Sequence, residues 1–324
     1  MAVQEHRARL LHGRRRMRRS ELFIRHDANP ILTAADWPYE VNAVFNPGAA
    51  EVEGETLLLA RVEDRAGVSH LAVATSADGV TDWQIDSQRA LMPDLDSEAE
   101  RFGIENPRIT RIGDEWLIVY TGYSSSGPLV CLAATRDFRS YERRGVVLSP
   151  EDKDAALFPE PIGERFAMIH RPVTRTAGRA DIWLSWSPNL LHWATHGVIL
   201  GTRGGGSWES YKVGLGPPPL RTAEGWLLAY HGIRKTASGS IYRVGLALLD
   251  LEHPERLLAR TREWVFGPVE PYELLGNVGN VVFPCGWLLD ADGDTIRMYY
   301  GAADTSICLA TASLAALLER LRRA

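Results

Sequence analysis

Apolar positions along the 324-residue chain gather into short runs, and five of those runs resemble one another. They are residues 55–63 (ETLLLARVE), 114–122 (DEWLIVYTG), 164–172 (ERFAMIHRP), 224–232 (EGWLLAYHG) and 294–302 (DTIRMYYGA). Each opens on an acidic residue, continues almost unbroken with apolar residues, and ends near polar or aromatic ones. A second strand follows each: HLAVATSADG, LVCLAATRDF, DIWLSWSPNL, RVGLALLDLE and ICLATAS. Turn residues such as Ser76-Ala77-Asp78-Gly79 and Ser187-Pro188-Asn189 close them. In three repeats an aromatic residue, Trp83, Tyr141 or Trp193, comes just after the turn.

A proline motif precedes each unit: Asn46-Pro47-Gly48, Asn106-Pro107-Arg108, Phe158-Pro159-Glu160, Gly216-Pro217-Pro218 and Phe283-Pro284. The motifs recur about 50–70 residues apart, a period that with roughly four short strands per unit describes propeller blades. A helical solenoid would need a 3.6-residue apolar period, which these segments lack. The pattern therefore predicts an all-β, five-bladed β-propeller with a short C-terminal helix. Leu314, Leu317, Leu318 and Leu321 share one face of that helix. The expected division is a basic arm over residues 1–29, the propeller over 30–312 and the helix over 313–324.

Composition narrows the partners. A net charge of −5 gives no bulk attraction to nucleic acid or anionic membrane, and no apolar run approaches the roughly 18 residues of a membrane span. Arg14, Arg15, Arg16, Arg18 and Arg19 cluster near the start, but no apolar stretch follows as in a signal peptide. The arm reads as a solvated segment or a contact within a homo-oligomer. Cys131, Cys285 and Cys308 are odd in number and widely spaced, which predicts reduced thiols and a cytoplasmic protein. Asp290, Asp292 and Asp294 imitate a calcium loop, yet Gly301 stands where the twelfth-position Glu is needed, so a hairpin turn and no metal site is expected.

In a propeller, equivalent positions of all blades meet at one mouth of the central channel. The charged and polar strand ends here are Arg61, Glu63, Tyr120, Tyr123, His170, Arg171, Tyr230, His231 and Asp304; the opening motifs add Asn46, Asn106, Arg108, Asp154, Glu160 and Lys212. Polar groups ending apolar strands are costly unless paired or used.

These segments resemble, in order, the motifs of glycoside hydrolase family 130, the β-mannoside phosphorylases and β-mannosidases. The likeness runs through Phe45-Asn46-Pro47-Gly48-Ala49, Leu59-Ala60-Arg61-Val62-Glu63, Gly103-Ile104-Glu105-Asn106-Pro107-Arg108-Ile109, Lys153-Asp154, Met168-Ile169-His170-Arg171-Pro172, Tyr211-Lys212-Val213-Gly214, Tyr230-His231-Gly232 and Tyr300-Gly301-Ala302-Ala303-Asp304. The resemblance covers roughly residues 30–312. It implies inverting attack of inorganic phosphate, the co-substrate, on a β-mannoside oligosaccharide, with no cofactor. It places phosphate on Arg171, Lys212, His231 and Tyr242. It places mannoside on Asn46, Arg61, Glu63, Asp304, Tyr123 and Arg108, and the catalytic acid at position 106. A basic cradle suits a dianionic nucleophile that must be held in line.

Two departures stand out. The family's acid motif reads Glu-Asp-Pro-Arg, whereas Asn106 occupies the acid position here, and an amide delivers no proton. Either another group serves, or activity is lost, or the residue has been substituted; the intact motifs around it favour substitution. Glu105 is expected to point the opposite way along its strand. Asp152 precedes the Lys153-Asp154 pair where phosphorylases often carry Asn, which would set a negative charge beside phosphate. Two other readings stay open on sequence: a β-mannosidase using Glu63, Asp154 or Glu160 as base for water, and a non-catalytic mannoside-binding propeller.

Overall fold

The computed structural model describes residues 21–88, 90–173 and 180–324, and backbone only at 195 and 196. Five antiparallel sheets form five blades. A two-residue strand, β1 (Ile24–Arg25), precedes blade one, made of β2 (Ala43–Val52), β3 (Glu55–Glu63), β4 (Ser69–Ser76) and β5 (Gln84–Ile85). Blade two is β6 (Ile104–Ile112), β7 (Glu115–Ser124), β8 (Gly127–Thr135) and β9 (Glu142–Leu148). Blade three is β10 (Asp152–Leu157), β11 (Phe166–Pro172), β12 (Ile182–Ser187) and β13 (Ala194–Leu200). Blade four is β14 (Lys212–Leu215), β16 (Gly225–Thr236), β17 (Gly239–Leu249) and β18 (Leu257–Arg260), with the short β15 (Leu220–Thr222) beside β16. Blade five is β19 (Val282–Leu289), β20 (Thr295–Ala302) and β21 (Ser306–Ser313), with β1 as its outer strand. Each expected middle strand is thus the second strand of one blade.

The unbroken apolar runs follow from burial on both faces. In β3, Leu57 and Leu59 pack with blade two, while Leu58, Ala60 and Val62 pack with blade five. In β7, Ile118 and Tyr120 face blade one, and Leu117 and Val119 face blade three. In β16, Trp226, Leu228 and Tyr230 meet blade three, and Leu227 and Ala229 meet blade five. Five such interfaces close the ring.

The turns after the third strands repeat as well. Asp78, Asp137, Asn189 and Asp250 each accept two backbone N–H groups from the residues two and three ahead. Trp83 and Trp193 donate their indole N–H, and Tyr141 its hydroxyl, to a carbonyl three residues earlier. In blade five the helix Leu314–Arg322 takes the place of that turn, capped by Ser313 Oγ, with Leu317, Leu318 and Leu321 buried. The aspartates at 290–294 form a hairpin turn, in which Asp292 accepts from the backbone of Asp294 and Thr295.

Residues 21–29, read from sequence as part of the arm, in fact help close the ring. Ile24 pairs with Thr311 and Arg25 with Ala310. Arg25 bridges Glu21 and the fully buried Glu273, 2.8 Å from each, and stacks on Phe266. The basic cluster at 14–19 lies outside the described residues. Cys131, Cys285 and Cys308 are buried and unpaired. Among the described residues no helix is long and apolar enough to cross a membrane.

Candidate active site

The inner strands of three blades carry the same bulge. Between Phe45 and Gly48, Glu105 and Arg108, and Lys153 and Ala156, the register against the second strand shifts by one residue. The first residue of each extra pair, Asn46, Asn106 or Asp154, has φ near +50°. Asn and Asp tolerate this left-handed region better than other non-glycine residues. Pro47 and Pro107 follow, and a bulge is where a missing N–H costs the ladder nothing. The result is one polar side chain per blade turned to the channel.

These side chains line one cavity of about 310 Å³ at the channel mouth. Of the residues expected to bind ligand, Asn46, Arg61, Asn106, Arg171, Lys212, His231, Tyr242 and Asp304 line it; Glu63, Arg108 and Tyr123 do not. Glu63 pairs with Arg61 at 3.2 Å beside the cavity. Arg108 is buried beneath it, donating to the carbonyls of Asn106, Leu215 and Gly216. Tyr123 is half-exposed at the rim, opposite Pro128, which does line the cavity. The lining also includes Lys153, Glu151, Val278, Val281 and Phe283, none of which the strand-end pattern singled out.

Two halves can be distinguished. On one side Asn46 Nδ2 donates to Asn106 Oδ1 at 2.9 Å, and Arg61 Nη1 lies 3.5 Å from the same oxygen. Gly301 permits this: a Cβ there would sit 1.9 Å from Asn46 Oδ1. Arg61 is held by Ser69 and stacks on Phe45. Asp304, at φ +49°, occupies the turn after β20. Burial pushes its carboxyl up to about 6, with Arg61 opposing and Glu105 adding to the rise.

On the other side stands Asp154, fully buried. Arg171 Nε donates to its Oδ2 at 2.8 Å, His231 Nε2 is 3.5 Å from the same oxygen, and Arg108 Nη2 is 3.6 Å from Oδ1. Burial alone would raise this carboxyl, but Arg171, then His231, Arg108 and Lys153, hold it below the usual carboxylate range. The His231 imidazole is driven down to about 3, first by burial and then by Arg171 and Arg108 against the pull of Asp154. Tyr242 is raised to about 12 by burial and the nearby Asp154. Four buried polar atoms of the cavity residues have no hydrogen-bond partner in the protein: Asn46 Oδ1, Asp154 Oδ1, Arg171 Nη1 and His231 Nδ1. In native proteins such atoms are rare.

Three sequence expectations change. Glu105 does not turn away: the bulge breaks strict alternation, and its carboxylate meets Arg61 at 3.1 Å and Lys153 at 3.7 Å. Although burial opposes it, these two cations keep Glu105 ionised, so it is no proton donor. Asp152 does not face the cavity. Its Oδ2 lies 2.6 Å from His170 Nδ1 and its Oδ1 accepts from the Arg171 backbone. Glu160 is exposed and pairs with Arg221, away from the channel mouth. Within the strand-end pairs, Arg171 and His231 reach the cavity, whereas His170 and Tyr230 bind Ser185 and Glu209 inside the blades.

The family model for glycoside hydrolase family 130, described as beta-1,4-mannooligosaccharide phosphorylase, matches residues 16–323. A beta-1,2-mannobiose phosphorylase of Listeria innocua is 33% identical, over 92% of this chain and 98% of that one. A 1,2-beta-oligomannan phosphorylase of Thermoanaerobacter sp. is 36% identical, over 88% and 94%. The solved structure of the Listeria innocua enzyme with beta-1,2-mannobiose superposes with a TM-score of 0.86, covering 93% of this chain and 99% of that one. With its five blades and its motifs in the same order, the chain belongs to glycoside hydrolase family 130.

Proposed function

We propose that this protein phosphorolyses β-mannosides with inversion, yielding α-mannose 1-phosphate and a shortened acceptor. The observation that carries this reading is the half of the cavity built from Arg171, Lys212 and His231, with a buried Arg171 Nη1 unspent. A guanidinium and an ammonium group facing one desolvated space suit a phosphate that must attack in line. The mannose would lie against Asn46, Arg61 and Asp304, whose carboxylate accepts from ring hydroxyls.

Hydrolysis would need a free carboxylate to activate water. Glu63 is tied to Arg61, Asp154 is locked beneath Arg171, and Glu160 is on the outer surface. None is poised as a base, which supports phosphate as the nucleophile. Asn106 holds the place of the acid but lacks its proton, so the chain as it stands binds well and turns over slowly. Buried, unpaired cysteines support a reducing, cytoplasmic setting as part of the same proposal.

The test is α-mannose 1-phosphate incubated with a panel of sugar acceptors, β-1,2-linked mannose acceptors first, using both this chain and Asn106→Asp. Phosphate release that depends on acceptor, and mannoside cleavage that depends on phosphate, are expected. Cleavage of mannosides at the same rate without phosphate would overturn the proposal.

A further inference from the structure

The charged groups around the cavity are shared unequally between its two halves. On the Asn106 side the lining cations are Arg61 and Lys153. Lys153 acts on both Asp304 and Asp154, so it stands between the halves. Arg61 lies 3.2 Å from Glu63 and 3.1 Å from Glu105, and Lys153 Nζ lies 3.7 Å from Glu105. Two carboxylates therefore match these two cations before Asp304 is counted. On the other side Arg171, Lys212 and the buried Arg108 are set against the single carboxylate of Asp154, and His231 is neutral. Glu151, also in the lining, packs against Gly127 of blade two. One half is cationic and the other neutral or anionic, although both contain basic side chains. Glu105 makes much of that difference, because the bulge at Asn106 brings its carboxylate to Arg61 and Lys153. Both cations line the cavity and keep part of their side-chain surface exposed, 12% for Arg61 and 23% for Lys153. An anion in the cavity could therefore reach them.

We propose that Glu105 is a specificity-determining residue: its negative charge keeps phosphate out of the mannose half, so that the co-substrate has one place to bind and does not compete with the sugar. This rests on the phosphorylase reading given above. Mannose and phosphate are both small and rich in oxygen. With Arg61 and Lys153 uncompensated, the mannose half would offer an anion much what Arg171 and Lys212 offer it. A fixed carboxylate repels a dianion and not a neutral sugar, which is discrimination by repulsion. The Asp304 carboxyl registers that charge: burial lifts it to about 6, Arg61 opposes, and Glu105 adds to the rise, ahead of the opposing Lys153 and of Glu63. Glu105→Gln isolates the effect. It keeps the oxygen that Arg61 meets and removes the charge, while Ser69, Glu63 and the Phe45 ring still anchor Arg61.

The measurement is calorimetric titration of β-1,2-mannobiose into the full chain at rising phosphate and constant ionic strength, repeated with Glu105→Gln and Glu105→Asp. In the unaltered chain and in Glu105→Asp, phosphate up to about 100 mM should change the mannobiose Kd by less than about threefold. In Glu105→Gln phosphate should compete and raise that Kd at least about tenfold over the same range. Added to Asn106→Asp, Glu105→Gln should give inhibition by excess phosphate that more mannobiose relieves. A Glu105 that merely holds Arg61 in place would instead give weaker mannobiose binding with no dependence on phosphate, and that result overturns the inference. Competition between phosphate and mannobiose in the unaltered chain overturns it too, and needs no variant to fold; phosphorolysis survives either result. If phosphate neither binds nor is consumed by Asn106→Asp, the phosphorylase reading itself falls and this inference with it.

Discussion

Replacing Asn106 by Asp changes one NH₂ group into an oxygen and nothing else in size. Asn106 is buried, and its Oδ1 already takes hydrogen bonds from Asn46 at 2.9 Å and Arg61 at 3.5 Å. An aspartate oxygen can keep both contacts, leaving the second oxygen, in place of Nδ2, to carry the transferable proton. The bulge geometry with φ +51° suits Asp as well as Asn. Shape and anchoring are therefore conserved, and the gain is confined to general-acid catalysis. That contribution is typically about 10²–10⁴-fold, or about 3–5 kcal/mol of barrier at 1.36 kcal/mol per factor of ten. The assay is phosphate release from α-mannose 1-phosphate with a productive acceptor, alongside calorimetric titration of the mannoside. We expect turnover to rise at least about 100-fold and the mannoside Kd to move by less than about threefold. Unchanged turnover with intact binding, or a rate of about 10 s⁻¹ already in the unaltered chain, would refute the assignment of position 106 as the acid.

Lys212→Ala should raise the KM for phosphate by at least about tenfold while leaving mannoside affinity nearly unchanged, since Lys212 has no tie to Asp154 or to the Asn106 side; equal loss of both affinities would point to a structural role. Asp304, with its carboxyl raised to about 6 by burial, is protonated below that pH and a hydroxyl acceptor above it, so mannoside affinity should climb between pH 5 and 7 and become flat in Asp304→Asn. The sign for folding is opposite: a carboxyl raised from 3.8 to about 6 makes the ligand-free chain lose stability as pH rises between those two values and level off above them, measurable as a falling urea midpoint that Asp304→Asn abolishes. Arg25→Ala strands the fully buried Glu273 and should cost about 3–5 kcal/mol, read by denaturant titration; a loss under about 1 kcal/mol would show that β1 is not a latch.

The blades were legible because each middle strand is buried on both faces and so reads as an apolar run, and because Asx turns recur at Asp78, Asp137 and Asn189. The cavity was partly legible for a related reason: Asn-Pro is a chemical signature of a residue that bears positive φ followed by one that needs no ladder hydrogen bond. What escaped was orientation. Period-two reasoning sends Glu105 away from Asn106, but an extra residue in one strand cancels that alternation. Asp152 could be placed only by its buried partner His170, 18 residues onward. Arg108 reads like a ligand-binding strand end yet spends its donors on carbonyls of blades two and four. The role of β1 was invisible since two residues carry no periodicity, and their partners lie 280-odd positions away in sequence.

That last pairing joins the two ends of the propeller inside one sheet. Asn46, Asn106, Asp154, Lys212 and Asp304 come from five successive blades, so no fragment of the chain owns the cavity. It comes into being only when the fifth blade meets the first. During synthesis the emerging strands can stack in sequence, but the pocket must await the whole ring, and contacts of such long sequence separation form slowly. Any molecule that touches several blades at once is then a clasp across the seam. It stabilises the closed form in proportion to RT ln(1 + [L]/Kd), and peeling away the amino-terminal strand becomes harder whenever the cavity is full.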